Sequence, residues 1–252
     1  MQYGLAFNYA LNRTGGFVNI LLVTVCSFIP IVGPIVFLGY RSEVAAALLE
    51  DEDLRRHPKF DFDNFVDYLS RGIWPFLMSL VAGVLIVPAF IAAFVLAVVG
   101  AAAVGGNAAP IFILGGYLVG IGLAIALSML AAPMQFHAEL AGKFDLGAAF
   151  RFTKSFWLTV GAQVILSWLI FIPLSIAVMV VGMLACFVGV YPAASLIQMA
   201  NTHVMVQLYD EYLNRGGEAI PLFELPDEDE EIDRRSRRRR RREVEDEDDD
   251  RE

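Results

Sequence analysis

Only a few side chains of this 252-residue sequence combine the types and spacing that chemistry requires. Each group places a cationic or imidazole side chain near acids or amides: Arg41 with Glu43, His137 with Glu139, and His203 with Gln207 and Asp210. Groups of this kind bind metals, transfer protons or pair with charged ligands. The candidate functional residues are therefore Arg41, Glu43, His137, Glu139 and His203.

The spacing within these groups argues against a metal or cofactor site. His137 and Glu139 are two residues apart, so they project from different parts of a helix surface. A zinc site at this point needs a third ligand from another segment. We expect no cofactor, no metal and no enzymatic activity.

Most of these candidates lie close to the ends of apolar stretches. The simpler interpretation is that they hold helix ends at the headgroup boundary of a membrane. Arg41 differs because it follows an uncharged run closely enough to lie at lipid depth. A charge there must face other helices or extend toward the interface, and it is by default a functional hypothesis.

The segments that must position these side chains are dominated by residues 72–136, which contain no Asp, Glu, Lys, Arg or His. At about 1.5 Å of rise per residue, a helical run of this length crosses a hydrocarbon core of about 30 Å twice. The whole chain is 57% hydrophobic, with a mean hydropathy of +0.57. These values indicate a membrane protein rather than a soluble domain.

Two further runs repeat this composition. Residues 155–209 contain His203 as their only Asp, Glu, Lys, Arg or His, and we predict crossings at 156–180 and 188–206. Residues 15–40 are also uncharged but contain Pro30 and Pro34, which break helices. This run is therefore either one kinked span or a tight hairpin of two short spans.

Each apolar run follows a short segment that combines aromatic and polar residues. Residues 1–13, 61–69 and 145–154 are predicted to be amphipathic helices in the membrane interface, the last two capped by Asp61 and Asp145. The resulting threefold plan, an interfacial helix followed by a hairpin, favours the hairpin interpretation of residues 15–40.

The predicted fold is therefore all-α: a polytopic membrane helical bundle of about six transmembrane helices in three hairpins, formed by residues 1–222. The glycine pair Gly116 and Gly120 has the spacing that allows close helix packing, which we expect within this bundle. Cys26 and Cys186 are expected to be small packing residues.

The distribution of positive charge predicts the orientation. In this layout all nineteen Lys and Arg residues lie on one side, whereas the three opposite connections have none. The positive-inside rule then places both termini in the cytoplasm.

Residues 223–252 form a separate segment that is acidic, then arginine-rich at 234–242, then acidic again. It has almost nothing to bury, so we predict a disordered, self-neutralising cytoplasmic tail. The arginines are candidates to attract anionic lipid headgroups or a cytoplasmic protein, whereas the flanking acids make nucleic acid an improbable partner.

The interiors of the predicted spans contain no Asp, Glu or Lys that relays protons, which argues against an ion-coupled pump. Polar residues in the spans are candidates to line a path for an uncharged or amphipathic solute: Asn19, Thr24, Gln163, Ser167, Gln198, Asn201 and Thr202. Such residues more often form hydrogen bonds between helices. The sequence favours a non-catalytic protein that organises lipid or partners, with a transporter or channel as the alternative.

Several short motifs resemble one membrane family. Gly39-Tyr40, the segment His57-Pro58-Lys59-Phe60-Asp61 and Gly72 are similar to the signature of the family called domain of unknown function 4013, and Pro133 with residues 148–152 resembles its second half. The chain departs from that signature with His57 in place of Leu and with no Trp after the acidic pair. The resemblance implies a bacterial or archaeal protein with several spans, and it implies no activity.

Overall fold

The computed structural model describes residues 3–11, 16–50, 58–184 and 188–223, and within them all regular structure is helical. The seven α-helices are α1 (Tyr3–Leu11), α2 (Gly16–Ser27), α3 (Val32–Glu50), α4 (Phe65–Val104), α5 (Ala109–Ala141), α6 (Leu146–Leu184) and α7 (Val190–Asn214). Short 3-10 turns, Phe62–Asn64 and Gly106–Ala108, precede α4 and α5. The predicted all-α fold class is confirmed.

The chain divides into two units, Met1–Pro221 and Leu222–Glu252. The second unit is described only at Leu222 and Phe223. The predicted disorder of the tail, and the predictions for His57 and Cys186, therefore lie outside the described residues.

The first apolar run is a hairpin and not one kinked helix. The chain leaves α2 after Ser27 and reverses through residues 28–31, where Ile31 has a positive φ of 67°. Gly33 packs against the carbonyl of Cys26. Asn19 Nδ2, nine residues before the turn, and Tyr40 Oη, nine residues after it, both donate hydrogen bonds to the Pro58 carbonyl, so the two helices are antiparallel.

The predicted interfacial helices at 61–69 and 145–154 are not separate from the spans that follow them. Each continues without a break into one long helix, α4 of 40 residues and α6 of 39 residues. The predicted end of the first of these helices at residue 69 was wrong, because α4 continues through Gly72, which packs against α3. The predicted caps are confirmed, since Asp61 Oδ1 accepts from Asp63 N at 3.0 Å and Asp145 Oδ1 accepts from Ala148 N at 2.9 Å.

Four of the described helices are long and apolar enough to cross a membrane: Val32–Glu50, Phe62–Val104 with its preceding turn, Ala109–Ala141 and Leu146–Leu184. The six predicted spans thus correspond to the four long apolar helices α3, α4, α5 and α6, together with α2 and α7, which do not meet the same criteria of length and hydropathy. Of those two, α2 has 12 residues and spans only about 18 Å. The other, α7, has 25 residues but is more polar.

The N-terminal helix α1 packs inside the bundle. Tyr3 Oη donates to Ser167 Oγ at 3.1 Å, and the rings of Phe7 and Phe171 stack with centroids 5.6 Å apart. Both contacts lie near the midpoint of α6. The position of α1 in the membrane interface stays a prediction.

Helices α3 and α4 cross at two glycines where their backbones touch. A Cβ atom on Gly39 would collide with the Tyr68 carbonyl, and one on Gly72 would collide with the Ile35 carbonyl. Small residues allow such close approach between membrane helices, where packing and polar contacts rather than water exclusion drive association. This crossing fixes the position of α3 against α4.

The second glycine pair joins α5 to α4, as predicted. Gly116 faces Ala97, and a Cβ on Gly120 would lie 3.1 Å from the Phe90 ring. The small-residue spacing therefore serves packing within one hairpin.

An aromatic layer covers the polar end of the α3–α4 crossing. Phe60 stacks on Tyr68 with ring centroids 5.2 Å apart and meets Tyr40 edge-on at 5.3 Å. The backbone N–H of Phe60 donates to Asn19 Oδ1 at 3.3 Å. These contacts tie the segment before α4 to both arms of the first hairpin.

The backbone contact at Gly72 predicts a large penalty for any side chain there. We expect Gly72→Leu to destabilise the fold by at least about 1–3 kcal/mol, because the leucine must displace the backbone of α3. Unfolding in mild detergent can be followed with a thiol-reactive dye on the buried Cys26, in a Cys186→Ser background. Gly83→Leu is the matched control on α4, since nothing lies within 4 Å of a Cβ on Gly83. Equal melting temperatures for the two variants would contradict this packing.

The cap at the start of α6 predicts a pH dependence. The Ala148 amide hydrogen bond, aided by Lys143 and Arg151, holds the pKa of Asp145 below its usual value. Because the folded pKa is lowered, the cap stabilises fully above the unfolded pKa and is lost as pH falls through the folded value. The stability difference between the native chain and Asp145→Ala should be present at neutral pH and diminish as the pH falls through the lowered pKa of Asp145. A difference that grows on acidification would contradict this assignment.

Candidate functional site

The main polar contact inside the bundle is an ion pair between Arg41 on α3 and Glu139 on α5. Arg41 Nη2 lies 3.1 Å from Glu139 Oε1, and the two side chains are 8% and 1% exposed. Charged groups are costly to bury unless they are paired. The pair therefore ties α3 to α5 at one point along their lengths.

The same guanidinium also binds α7. Arg41 Nε donates to Thr202 Oγ1 at 2.9 Å, and Nη1 donates to Gln198 Oε1 at 3.4 Å. The Thr202 hydroxyl in turn donates to the Gln198 carbonyl, one turn earlier on the same helix, at 3.1 Å. One arginine thus joins three helices, α3, α5 and α7.

Glu139 is held from its own helix as well. Gln135 Nε2, one turn before it on α5, donates to Oε1 at 3.1 Å. The other carboxylate oxygen, Oε2, is buried and has no hydrogen-bond partner among the described residues. We call the group Arg41, Glu139, Gln135, Gln198 and Thr202 the Arg41 cluster.

The cluster lies toward the polar end of the long helices. Large exposed apolar residues of α5 extend from Ile111 to Leu130, whereas Glu139 lies within the last turn before Ala141. By helical rise, Glu139 is about 13 Å beyond Leu130 toward that end. We predicted that the candidate functional residues lie near helix ends, and Glu139 does so. The ion pair is nevertheless buried among helices rather than exposed at the headgroup boundary.

The structure separates Glu43 from the group in which the sequence placed it. Glu43 Oε2 lies 3.8 Å from Arg71 Nη1 on α4, and both side chains are partly exposed. Arg41 instead pairs with Glu139, an acid from a different predicted group. The combination of Arg41 with Glu43 was therefore wrong, and the true partner is distant in sequence.

His137 and Glu139 face different helices, as their spacing predicts. The His137 ring packs against Phe152 of α6 with centroids 5.6 Å apart, whereas Glu139 faces α3. His137 Nδ1 is buried without a hydrogen-bond partner among the described residues. Within the described ranges, no three His, Cys, Asp or Glu side chains come together as metal ligands do.

His203 is fully buried on α7. Its Nδ1 lies 2.8 Å from Gln207 Nε2, one turn along the same helix. Asp210 accepts from Asn214 at 3.4 Å. The predicted group thus keeps its histidine and amide, and Asp210 has a local partner.

Two further polar contacts in the spans are hydrogen bonds between helices. Thr24 and Ser195 share a hydrogen bond of 3.1 Å between α2 and α7, and Ser167 accepts from Tyr3. Next to this contact is a crevice without space for a water-sized sphere, lined by Asn19, Ile20, Val23, Tyr40, Ser195 and Met199. The residues that line this crevice pack closely and do not enclose a wide solute path there.

Sequence reasoning missed Gln135 of the Arg41 cluster and Ser195, the hydrogen-bond partner of Thr24. Gln135 lies four residues before Glu139, so the helical period alone placed their side chains together. Ser195 lies in the predicted span 188–206 and has no such local signal. Its partner Thr24 was recognised only as a polar residue in an apolar run.

These features define an all-helical membrane protein with a buried ion pair between its helices. The family model described as protein of unknown function (DUF4013) matches residues 22–187, more than half of the sequence, and the chain belongs to this family. No curated protein and no solved structure matches the chain in the respective searches.

The burial of the ion pair predicts that each partner depends on the other. Arg41→Met leaves the Glu139 carboxylate buried without its cation, so we expect a loss of about 3–5 kcal/mol of stability. The control is Arg215→Met, which breaks the exposed pair with Glu211 at 2.7 Å and should cost less than about 1 kcal/mol. Thermal unfolding reported by Cys26 measures both, and equal losses would contradict the structural role of Arg41.

Proposed function

We propose that this protein is a non-catalytic, multi-pass protein of a bacterial or archaeal cytoplasmic membrane that organises lipid or membrane partners. The observation that carries the proposal is the use of Arg41. Its guanidinium contacts Glu139, Gln198 and Thr202, so the cation of the Arg41 cluster holds three helices together. Side chains engaged in this way position helices rather than substrates.

The outer surface supports the same proposal. In the most apolar stretches of α4 and α5, only 6% of residues are buried, and in that of α6 only 17%. Side chains such as Val84, Leu96 and Val119 are more than half exposed. Surfaces of this kind face lipid tails or other membrane helices.

We propose six membrane-embedded helices in three hairpins: α2–α3, α4–α5 and α6–α7. Because α2 is only about 18 Å long, the first hairpin enters the hydrocarbon core without crossing it completely. The exposed turn residues Phe28, Ile29 and Ile31 are apolar, as a turn inside lipid requires.

The proposed orientation places the ends of the chain in the cytoplasm. The connections between hairpin arms, at residues 28–31, 105–108 and 185–189, contain no Lys or Arg, whereas Lys59, Lys143 and Lys154 lie at the opposite helix ends. The positive-inside rule then assigns those ends to the cytoplasm. The tail is proposed to remain there and to bind anionic headgroups or a cytoplasmic protein.

A second candidate is a transporter or channel for a neutral or amphipathic solute. The specific observation in its favour is the buried Glu139 Oε2, an acceptor that has no donor among the described residues. A buried acceptor of this kind is usually satisfied by a donor from water or ligand.

Orientation is tested by single cysteines in a cysteine-free background. We expect Lys59→Cys to react with a membrane-impermeant maleimide only from the cytoplasmic side, and Asn107→Cys only from the opposite side. Inside-out and right-side-out vesicles supply the two sides. Labelling of Asn107→Cys from the cytoplasm would refute the proposed hairpin.

The two candidate functions predict different results when the charges of Arg41 and Glu139 are both removed. The variant Arg41→Met with Glu139→Met replaces a buried pair by apolar side chains, which is often nearly neutral for stability. If the pair only holds helices, the folded variant should copurify with the same lipids and proteins as the native chain. A solute flux that native proteoliposomes show and the folded double variant loses would favour the transporter instead.

A further inference from the structure

The short connection between α5 and α6 has a surface of mixed character that neither the family nor the ion pair explains. Three apolar side chains there are exposed: Phe144 at 39%, Leu146 at 41% and Phe150 at 65%. Three cations, Lys143, Arg151 and Lys154, are exposed beside them. We call these six residues the α5–α6 patch.

The helical period places most of this patch on one side of α6. Leu146, Phe150 and Lys154 follow one another at intervals of four, and Arg151 lies three residues before Lys154, so it adjoins that side chain on the helix surface. Leu158, one turn further, is 79% exposed and continues the apolar surface toward the lipid. Arg151 and Lys154 thus lie between the exposed Phe150 ring and Leu158, where the lipid-facing surface begins.

The position of the patch between two long apolar helices determines where it lies. α5 ends at Ala141 and α6 begins at Leu146, and both are long and apolar enough to span a membrane. A connection this short between two such helices has to remain at the membrane surface. An exposed phenylalanine side chain at that level is more stable in the headgroup region than in water.

The positive charge of the α5–α6 patch indicates an anionic ligand. The carboxylate within the connection, Asp145, accepts the Ala148 amide hydrogen bond as a helix cap. Lys143 and Arg151 act on this carboxylate, but together with Lys154 the three exposed cations outnumber it. Cations combined with exposed apolar side chains at a membrane surface fit phospholipids with anionic headgroups.

We propose that the α5–α6 patch is a binding site for anionic phospholipid headgroups in the cytoplasmic leaflet. Phe144, Leu146 and Phe150 enter the headgroup layer, while Lys143, Arg151 and Lys154 bind the phosphates. The inference rests on the proposed membrane insertion and adds a lipid class and a location to it. It also differs from lipid binding by the arginine-rich tail.

The test compares lipid retention by the full-length protein and four variants. The protein is reconstituted in nanodiscs of phosphatidylcholine with phosphatidylglycerol, extracted in mild detergent, and its bound lipids are counted by native mass spectrometry. We expect the native chain to retain phosphatidylglycerol over phosphatidylcholine. The variant Lys143→Gln, Arg151→Gln, Lys154→Gln should lose this preference by about tenfold or more.

Two matched controls make the result specific. The charge-conserving variant Lys143→Arg, Arg151→Lys, Lys154→Arg should retain phosphatidylglycerol as the native chain does. The variant Arg237→Gln, Arg238→Gln, Arg239→Gln removes the same charge from the tail and should also retain it. Phe150→Ser should weaken retention without changing net charge.

The outcomes separate the inference from the proposed function. Unchanged retention in the patch glutamine variant, or loss in the tail variant alone, would overturn the site. A chain that fails to enter nanodiscs, or is washed from membranes by carbonate, would refute membrane insertion itself. Insertion with equal retention of both lipids would refute only the patch.

Discussion

The contact on which the rest of this structure depends is the buried ion pair between Arg41 and Glu139. Each charge is stable in the interior only because the other lies 3.1 Å away, since an isolated buried charge costs several kcal/mol. Gln198 and Thr202 of α7 complete the guanidinium contacts. The relative positions of α3, α5 and α7 along the membrane normal are therefore linked through one side chain.

The glycine crossing and the aromatic layer serve the same arrangement. Gly39 immediately precedes Tyr40 and Arg41, so the close contact of α3 with α4 orients both side chains at once. Tyr40 then donates to the Pro58 carbonyl at 2.9 Å, while Arg41 faces α5 and α7. Four of the motif residues that resemble the family signature thus pack helices in this structure: Gly39, Tyr40, Phe60 and Gly72.

Local patterns predicted much of the fold, because helix caps, uncharged runs and small-residue spacing act over a few residues. Asp61, Asp145 and the Gly116 pair with Gly120 all have their predicted roles. The partner of Arg41 was not predictable in this way, since periodicity identifies the face of a helix but not the acid that it meets. The continuity of α4 through Gly72 was missed for the same reason, as only α3 shows why a glycine is needed there.

The most direct test of this account is a double-mutant cycle between Arg41 and Glu139, measured as unfolding free energies in lipid bicelles. The cycle compares the native chain, Arg41→Met, Glu139→Met and the double variant. The account predicts that the double variant is more stable than the sum of the single losses allows, with a coupling energy of at least about 3 kcal/mol, because removing one partner of a buried pair is costly and removing both is nearly neutral. Losses that add to within about 0.5 kcal/mol would show that the two side chains act independently, and would contradict the account.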